Sequence, residues 1–121
     1  MKEQNKQEKV NLITPYEKYN IPQKQWETLK AKYGELRVVE LQRNNGEKVV
    51  MVLKKTDLTT LSMVSAQAAK EQHVQAAVTL MKRLSVYGFE EDHAKDTELV
   101  MGFINIVPAL IEGATAKLEK Y

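Results

Sequence analysis

Two histidines, three serines and one acidic run are the residues from which this 121-residue chain would have to build catalysis or a metal site. His73 and His93 stand far apart, and neither belongs to an HExxH or any paired spacing that turns two imidazoles onto one helix face. Glu90-Glu91-Asp92-His93 offers four donors in a row, but consecutive side chains diverge, and the spacing and turn glycine of a calcium loop are missing. This run reads as a solvated acidic loop. Ser62, Ser65 and Ser85 fall in helical patterns outside any GxSxG elbow, and the five glycines form neither a GxGxxG nor a P-loop. Without cysteine there is no thiolate ligand, disulfide or sulfur nucleophile. Lys54-Lys55 could touch phosphate and Trp26 with Tyr33 could stack on a base, although solvated strand-end lysines and core aromatics explain them more simply. The expectation is a non-enzymatic protein with no catalytic, cofactor-binding or metal-binding residues and no small-molecule substrate.

A chain of this length fits one domain, and 43% hydrophobic residues suffice for a modest core. No apolar run reaches 18 residues, and the first nine residues lack an apolar signal core, so an intracellular protein without membrane contact is expected. The net charge of +2 conceals a gradient: residues 1–55 hold 12 Lys/Arg against 7 Asp/Glu, and residues 56–121 hold 6 against 9. A basic front and an acidic back suit head-to-tail contacts between copies. Only three arginines are present, and nucleic-acid domains usually cluster more, so nucleic acid is the second reading rather than the first.

The elements that would position these residues are readable in outline. The spacing predicts an α+β fold: a β-hairpin followed by a small bundle of three or four helices, with an extended N-terminal arm. The arm spans 1–21, polar to residue 9 and then apolar and aromatic, with Pro15 and Pro22 favouring extended backbone before them. A single domain, 22–121, follows. Its first helix is predicted over 22–33, opened by Pro22, carrying Trp26, Leu29 and Tyr33 on one face, and closed by Gly34. The hairpin covers 36–54. Helices are predicted over 57–70, with Thr56-Asp57 as cap, and over 73–87; one bent helix from 57 to 87 is the alternative. The first of these helices presents Leu58, Leu61, Val64 and Ala68, and the second presents Val74, Ala77, Val78, Met81 and Leu84. A last helix is predicted over 96–119, capped by Asp96, with a kink or a break near Pro108.

Asn44-Asn45-Gly46 admits two turns. A two-residue turn sets Arg43 opposite Lys48; a three-residue loop with a left-handed Gly46 sets it opposite Glu47. The second register also gathers Val39, Leu41, Val49, Met51 and Leu53 on one face, and it is the expected one. It leaves Val38, Val50 and Val52 on the other face, so either the helices wrap both sides, or other strands join the edge, or another subunit covers it. If another subunit does, those three valines, with Leu12, Ile13, Tyr16, Tyr19 and Ile21 of the arm, are the expected contacts.

The order of elements, from "AKYGEL" through "VVMVLKKTDLTTLSMVSAQAA" and "VQAAVTLMKRLSVYG" to "DTELVMGFINIVPALIEGATAKLEK", resembles small phage morphogenesis proteins. The similarity is to the tail-assembly-chaperone type and to small virion structural proteins of phages infecting Bacteroides-like hosts. It spans roughly residues 26–118 and is clearest at the strand-to-helix junction 53–61. The aromatic segment 10–21 departs from that pattern and suits an arm that embraces a neighbour. The resemblance implies a protein that binds other phage structural proteins or copies of itself. It would act in the host cytoplasm during assembly or inside the virion, with no catalytic residues to carry over.

Overall fold

The computed structural model describes residues 15–111 and Lys120. The fold is α+β, and the expected hairpin sits in a three-stranded antiparallel sheet of order β1-β2-β3, with β1 Leu36–Gln42, β2 Lys48–Lys54 and β3 Ser85–Tyr87. Helices α1 Pro15–Lys18 and α2 Gln23–Tyr33 precede the hairpin. Helices α3 Leu58–Ala69 and α4 His73–Leu84 follow it, then a 3-10 helix Glu91–Lys95, α5 Thr97–Ile104 and α6 Val107–Ile111.

The hairpin takes the expected register. Val39 pairs with Met51 and Leu41 with Val49, the Arg43 amide donates to the Glu47 carbonyl at 2.7 Å, and Gly46 adopts φ 93°. The two helices of 57–87 are separate. Glu71, at φ 59°, turns the chain between them, and Arg83 Nε donates to the buried Thr60 hydroxyl at 2.8 Å to tie α4 to α3. Asp57 and Asp96 cap α3 and α5 through the amides of Thr60 and Leu99. Near Pro108 the helix breaks, the second of the two expected outcomes, between Ile104 and Val107. Pro108 has no N–H for the Ile104 carbonyl, so Asn105 and Ile106 turn back on Gly102 and Phe103. The proline then falls in the first turn of α6, where no amide is needed. The rest of the helix expected to 119 lies outside the described residues.

Two expectations fail. Residues 85–87 are not helical but extended along β2, because Val86 and Tyr87 reach the apolar surface around Val52. Within the arm, residues 15–21 are not extended: α1 is followed by Asn20 at φ 58°, and the Ile21 amide returns to the Tyr16 carbonyl at 2.7 Å. Residues 1–14 lie outside the description.

The sheet is buried on both faces. Val39, Leu41, Met51 and Leu53 pack against α4 and α5, with Leu80, Met81, Leu84, Leu99 and Phe103 fully buried. On the opposite face Val52, also fully buried, lies under Ile21 and Trp26, with Tyr16, Tyr19 and Val38 at the margin.

β3 depends on one glycine. Gly88 has φ 79°, and a Cβ there would stand 2.1 Å from the Val50 carbonyl oxygen, a backbone atom that cannot move aside. Gly88→Ala is expected to cost about 3 kcal/mol from backbone strain and overpacking together. Gly46→Ala has positive φ but open space around it, and is expected to cost about 1 kcal/mol. Urea unfolding of both variants checks the ranking; equal losses would refute this account of β3.

Candidate functional site

His93 and the acidic run beside it are occupied with local structure. His93 accepts the Glu90 amide on Nδ1 at 3.0 Å and sets its ring edge-on to Phe89, while the Glu90 side chain completes a capping box for the 3-10 helix. Glu91 pairs with Lys82 at 3.8 Å. His73 is exposed in the first turn of α4. Among the described residues no three acidic or imidazole side chains gather as metal ligands, and no helix is long and apolar enough to cross a membrane. Ser62 and Ser65 lie on the open side of α3; Ser85 sits half-buried on β3. Trp26 is buried over Val52 and is no stacking platform. Lys32 and Lys54 both set their ammonium groups over the Tyr33 ring, at 5.2 and 5.8 Å.

The expected interface residues divide. Val52 and Ile21 are buried inside the chain, and Tyr16, Tyr19 and Val38 pack against them. That corrects their assignment to a partner: α1, α2 and the turn between them supply the cover that the hairpin demanded. Val50 is half-buried, with its carbonyl against Gly88. Leu12 and Ile13 lie outside the described residues.

Other surfaces carry the exposed hydrocarbon. Helix α3 has no charged residue along its twelve, yet only Thr60 and Val64 are buried. Leu58 is 84% exposed and Met63 40%. Leu58 and Val74 belong by spacing to core faces, but each stands at the start of its helix, beyond the reach of the packing partner. Met101 on α5 is exposed beside Val74 across a shallow cavity of about 150 Å³. The absence of charge between Asp57 and Lys70 is the sequence signal that marks α3 as unusual for a solvated helix.

Between α3 and α6 runs an apolar furrow of two cavities, about 270 and 190 Å³, which share Ile111. Arg37 and Thr56 bound it at one end, both donating to the Leu110 carbonyl in the last turn of α6. Each cavity is smaller than the roughly 300 Å³ at which small-molecule sites begin.

The end of the sheet at the 43–47 turn is fixed by charge. Asp96 accepts from the Leu99 amide and from Arg43, and Glu47 lies 3.6 Å from the same guanidinium. The Leu99 amide first, then Arg43, holds the Asp96 carboxyl below the usual carboxylate range; Thr60 does the same for Asp57. Because both values are depressed on folding, their stabilisation is complete above the unfolded-state value of about 4 and is lost as pH falls through the lower folded values. Urea midpoints are expected to hold from pH 7 to about 5 and to fall below about 4. Asp96→Asn caps without titrating and should make that fall shallower; an unchanged pH profile would show that Asp96 contributes nothing.

No protein-family model, curated protein or solved structure matches the chain.

Proposed function

We propose that this chain is a non-enzymatic interaction protein of phage particle assembly, acting either as a virion structural component at the capsid or head–tail region or as a tail assembly chaperone. The reading rests on one observation above the others: α3 turns an uncharged surface with exposed Leu58 and Met63 to solvent. Leu58 also opens the apolar furrow shared with Leu61, Leu110 and Ile111, and contiguous exposed apolar surface of that kind marks sites of protein contact. The phage setting comes from the resemblance carried by the strand-to-helix junction, Leu53 to Leu61. Small cavities and the local employment of His93 accord with a non-catalytic role.

A photo-crosslinking residue at position 63, in chain expressed with the phage capsid, portal and tail proteins, is expected to yield adducts with a particle protein. The same residue at Glu27, on the exposed side of α2, should yield few. Leu58→Asp combined with Met63→Asp should reduce the adducts about tenfold or more, the loss of about 1.4 kcal/mol or more of binding. Both positions are exposed, so the unfolding midpoint should change little. Absence of any particle-protein adduct at position 63 would refute the assembly reading.

Nucleic-acid binding is favoured by one feature, the Lys32 and Lys54 ammonium groups over the Tyr33 ring, with Lys55 next in chain. Binding to random duplex with a steep logarithmic salt dependence would establish that reading instead.

A further inference from the structure

We propose that two copies of this chain pair through the outer edge of β1, antiparallel about a twofold axis, into one continuous six-stranded sheet. The inference deepens the interaction-protein reading above and rests on it in naming a second copy as a partner.

The register determines what that edge offers. In an antiparallel ladder, residues whose amide and carbonyl both face one neighbour alternate with residues that direct both groups away from it. Arg43 is bonded to Glu47, which sets 41, 39 and 37 toward β2. Leu36, Val38, Glu40 and Gln42 therefore direct their amides and carbonyls outward. Among the described residues none of these groups has a backbone partner beyond the hairpin.

The edge has few of the devices that natural sheets use to discourage pairing. β1 runs seven residues in unbroken register, without proline, lysine or bulge, and its two charges are engaged within the chain, Arg37 on the Ala109 and Leu110 carbonyls and Glu40 with Lys48. The opposite edge, β3, has only three residues and pairs through an irregularity at Val52 and Leu53. A cavity of about 280 Å³ lies along β1 beside Val38, Ile106 and Leu110, giving a fourth strand room for its side chains.

Charge selects the occupant and its direction. At the Leu36 end of β1 stand Lys32 and Lys54, gathered on Tyr33, with Lys55 next in chain, opposed by Glu35 and Asp57. At the Gln42 end three carboxylates, Glu47, Asp96 and Glu98, stand around Arg43 and outnumber it together with Lys48. An antiparallel copy sets each basic end beside the other's acidic end, whereas a parallel copy sets like beside like. Centring the axis on Val39 aligns all seven residues of each strand and sets Glu40, which is paired with Lys48 at 3.5 Å, opposite Val38 of the copy. Centring on Glu40 would set two carboxylates face to face.

Native mass spectrometry and sedimentation of the full chain are expected to give twice the 13.8 kDa of one copy, with at least tenfold weaker association in 1 M salt. Glu40→Pro removes one outward amide and leaves the bonds to β2 in place, so it should give a monomer with an unchanged circular dichroism spectrum. The chain has no cysteine, so Val39→Cys gives one thiol per copy, on the axis, and mild oxidation should form a covalent dimer. If Glu40→Pro unfolds the chain, the Val39→Cys cross-link decides. A monomeric wild-type chain at tens of micromolar, a dimer indifferent to Glu40→Pro, or no Val39→Cys cross-link overturns the pairing. Adducts from position 63 that persist in such a case leave the assembly reading intact, and their loss with the dimer retained overturns that reading alone.

Discussion

Five consecutive apolar side chains, Val49 to Leu53, place hydrocarbon on both faces of β2, and the other elements are arranged around that constraint. Met51 and Leu53 point one way and Val52 the other, and all three are fully buried. A fully buried side chain of this kind contributes about 1.5–3 kcal/mol, so leaving either face wet would be a serious loss for a chain of 121 residues. The helices α4 and α5 can cover only one side. The chain therefore folds its own N-terminal segment over the other, with Ile21 and Trp26 pressed on Val52, and adds Val86 and Tyr87 from a third strand. Three layers result: the helices, the sheet, and the segment formed by α1 and α2.

Features set by a few adjacent residues were legible in the sequence. Gly46 fixes the hairpin register because only a left-handed residue closes the three-residue loop, and one slip would reverse every side chain. Asp57 and Asp96 mark helix starts because a carboxylate can reach the free amides two or three residues on. Pro108 marks a helix interruption for an equally local reason. The third strand was not legible. Ser85-Val86-Tyr87 continues an apolar helical spacing, and its extension is decided by the distant Val52 surface and by Gly88 meeting Val50. The turn of α1 had the same obscurity, since two prolines argue for extended backbone and the return of Ile21 to Tyr16 depends on what Ile21 buries.

The candidate surface was legible as a demand and not as an address. Val38, Val50 and Val52 announce that a second face needs covering, but periodicity cannot say whose chain covers it. Exposure on α3 is hidden for a related reason. Leu58, Leu61, Val64 and Ala68 have the spacing of a buried stripe, yet only Val64 is buried. Contact with α4 is concentrated near Thr60, Val64 and Gln67, where Arg83 and Thr79 reach across, and the first turn of α3 projects beyond it.

With both sheet faces satisfied from within, the described part of the chain keeps two kinds of unsatisfied surface, and they differ in what they can recognise. Helix α3 offers hydrocarbon without charge, which rewards burial but imposes little orientation. The edge of β1 offers a fixed ladder of donors and acceptors flanked by opposite charges, which imposes direction and register before any area is counted. A partner of arbitrary shape can meet the first. The second favours a strand of matching length and reversed charge order, a condition that β1 of another copy meets by symmetry. The segment over Val52 makes this division possible: by covering the sheet face from within, it leaves only the rim of the sheet, rather than its hydrocarbon, to face another chain.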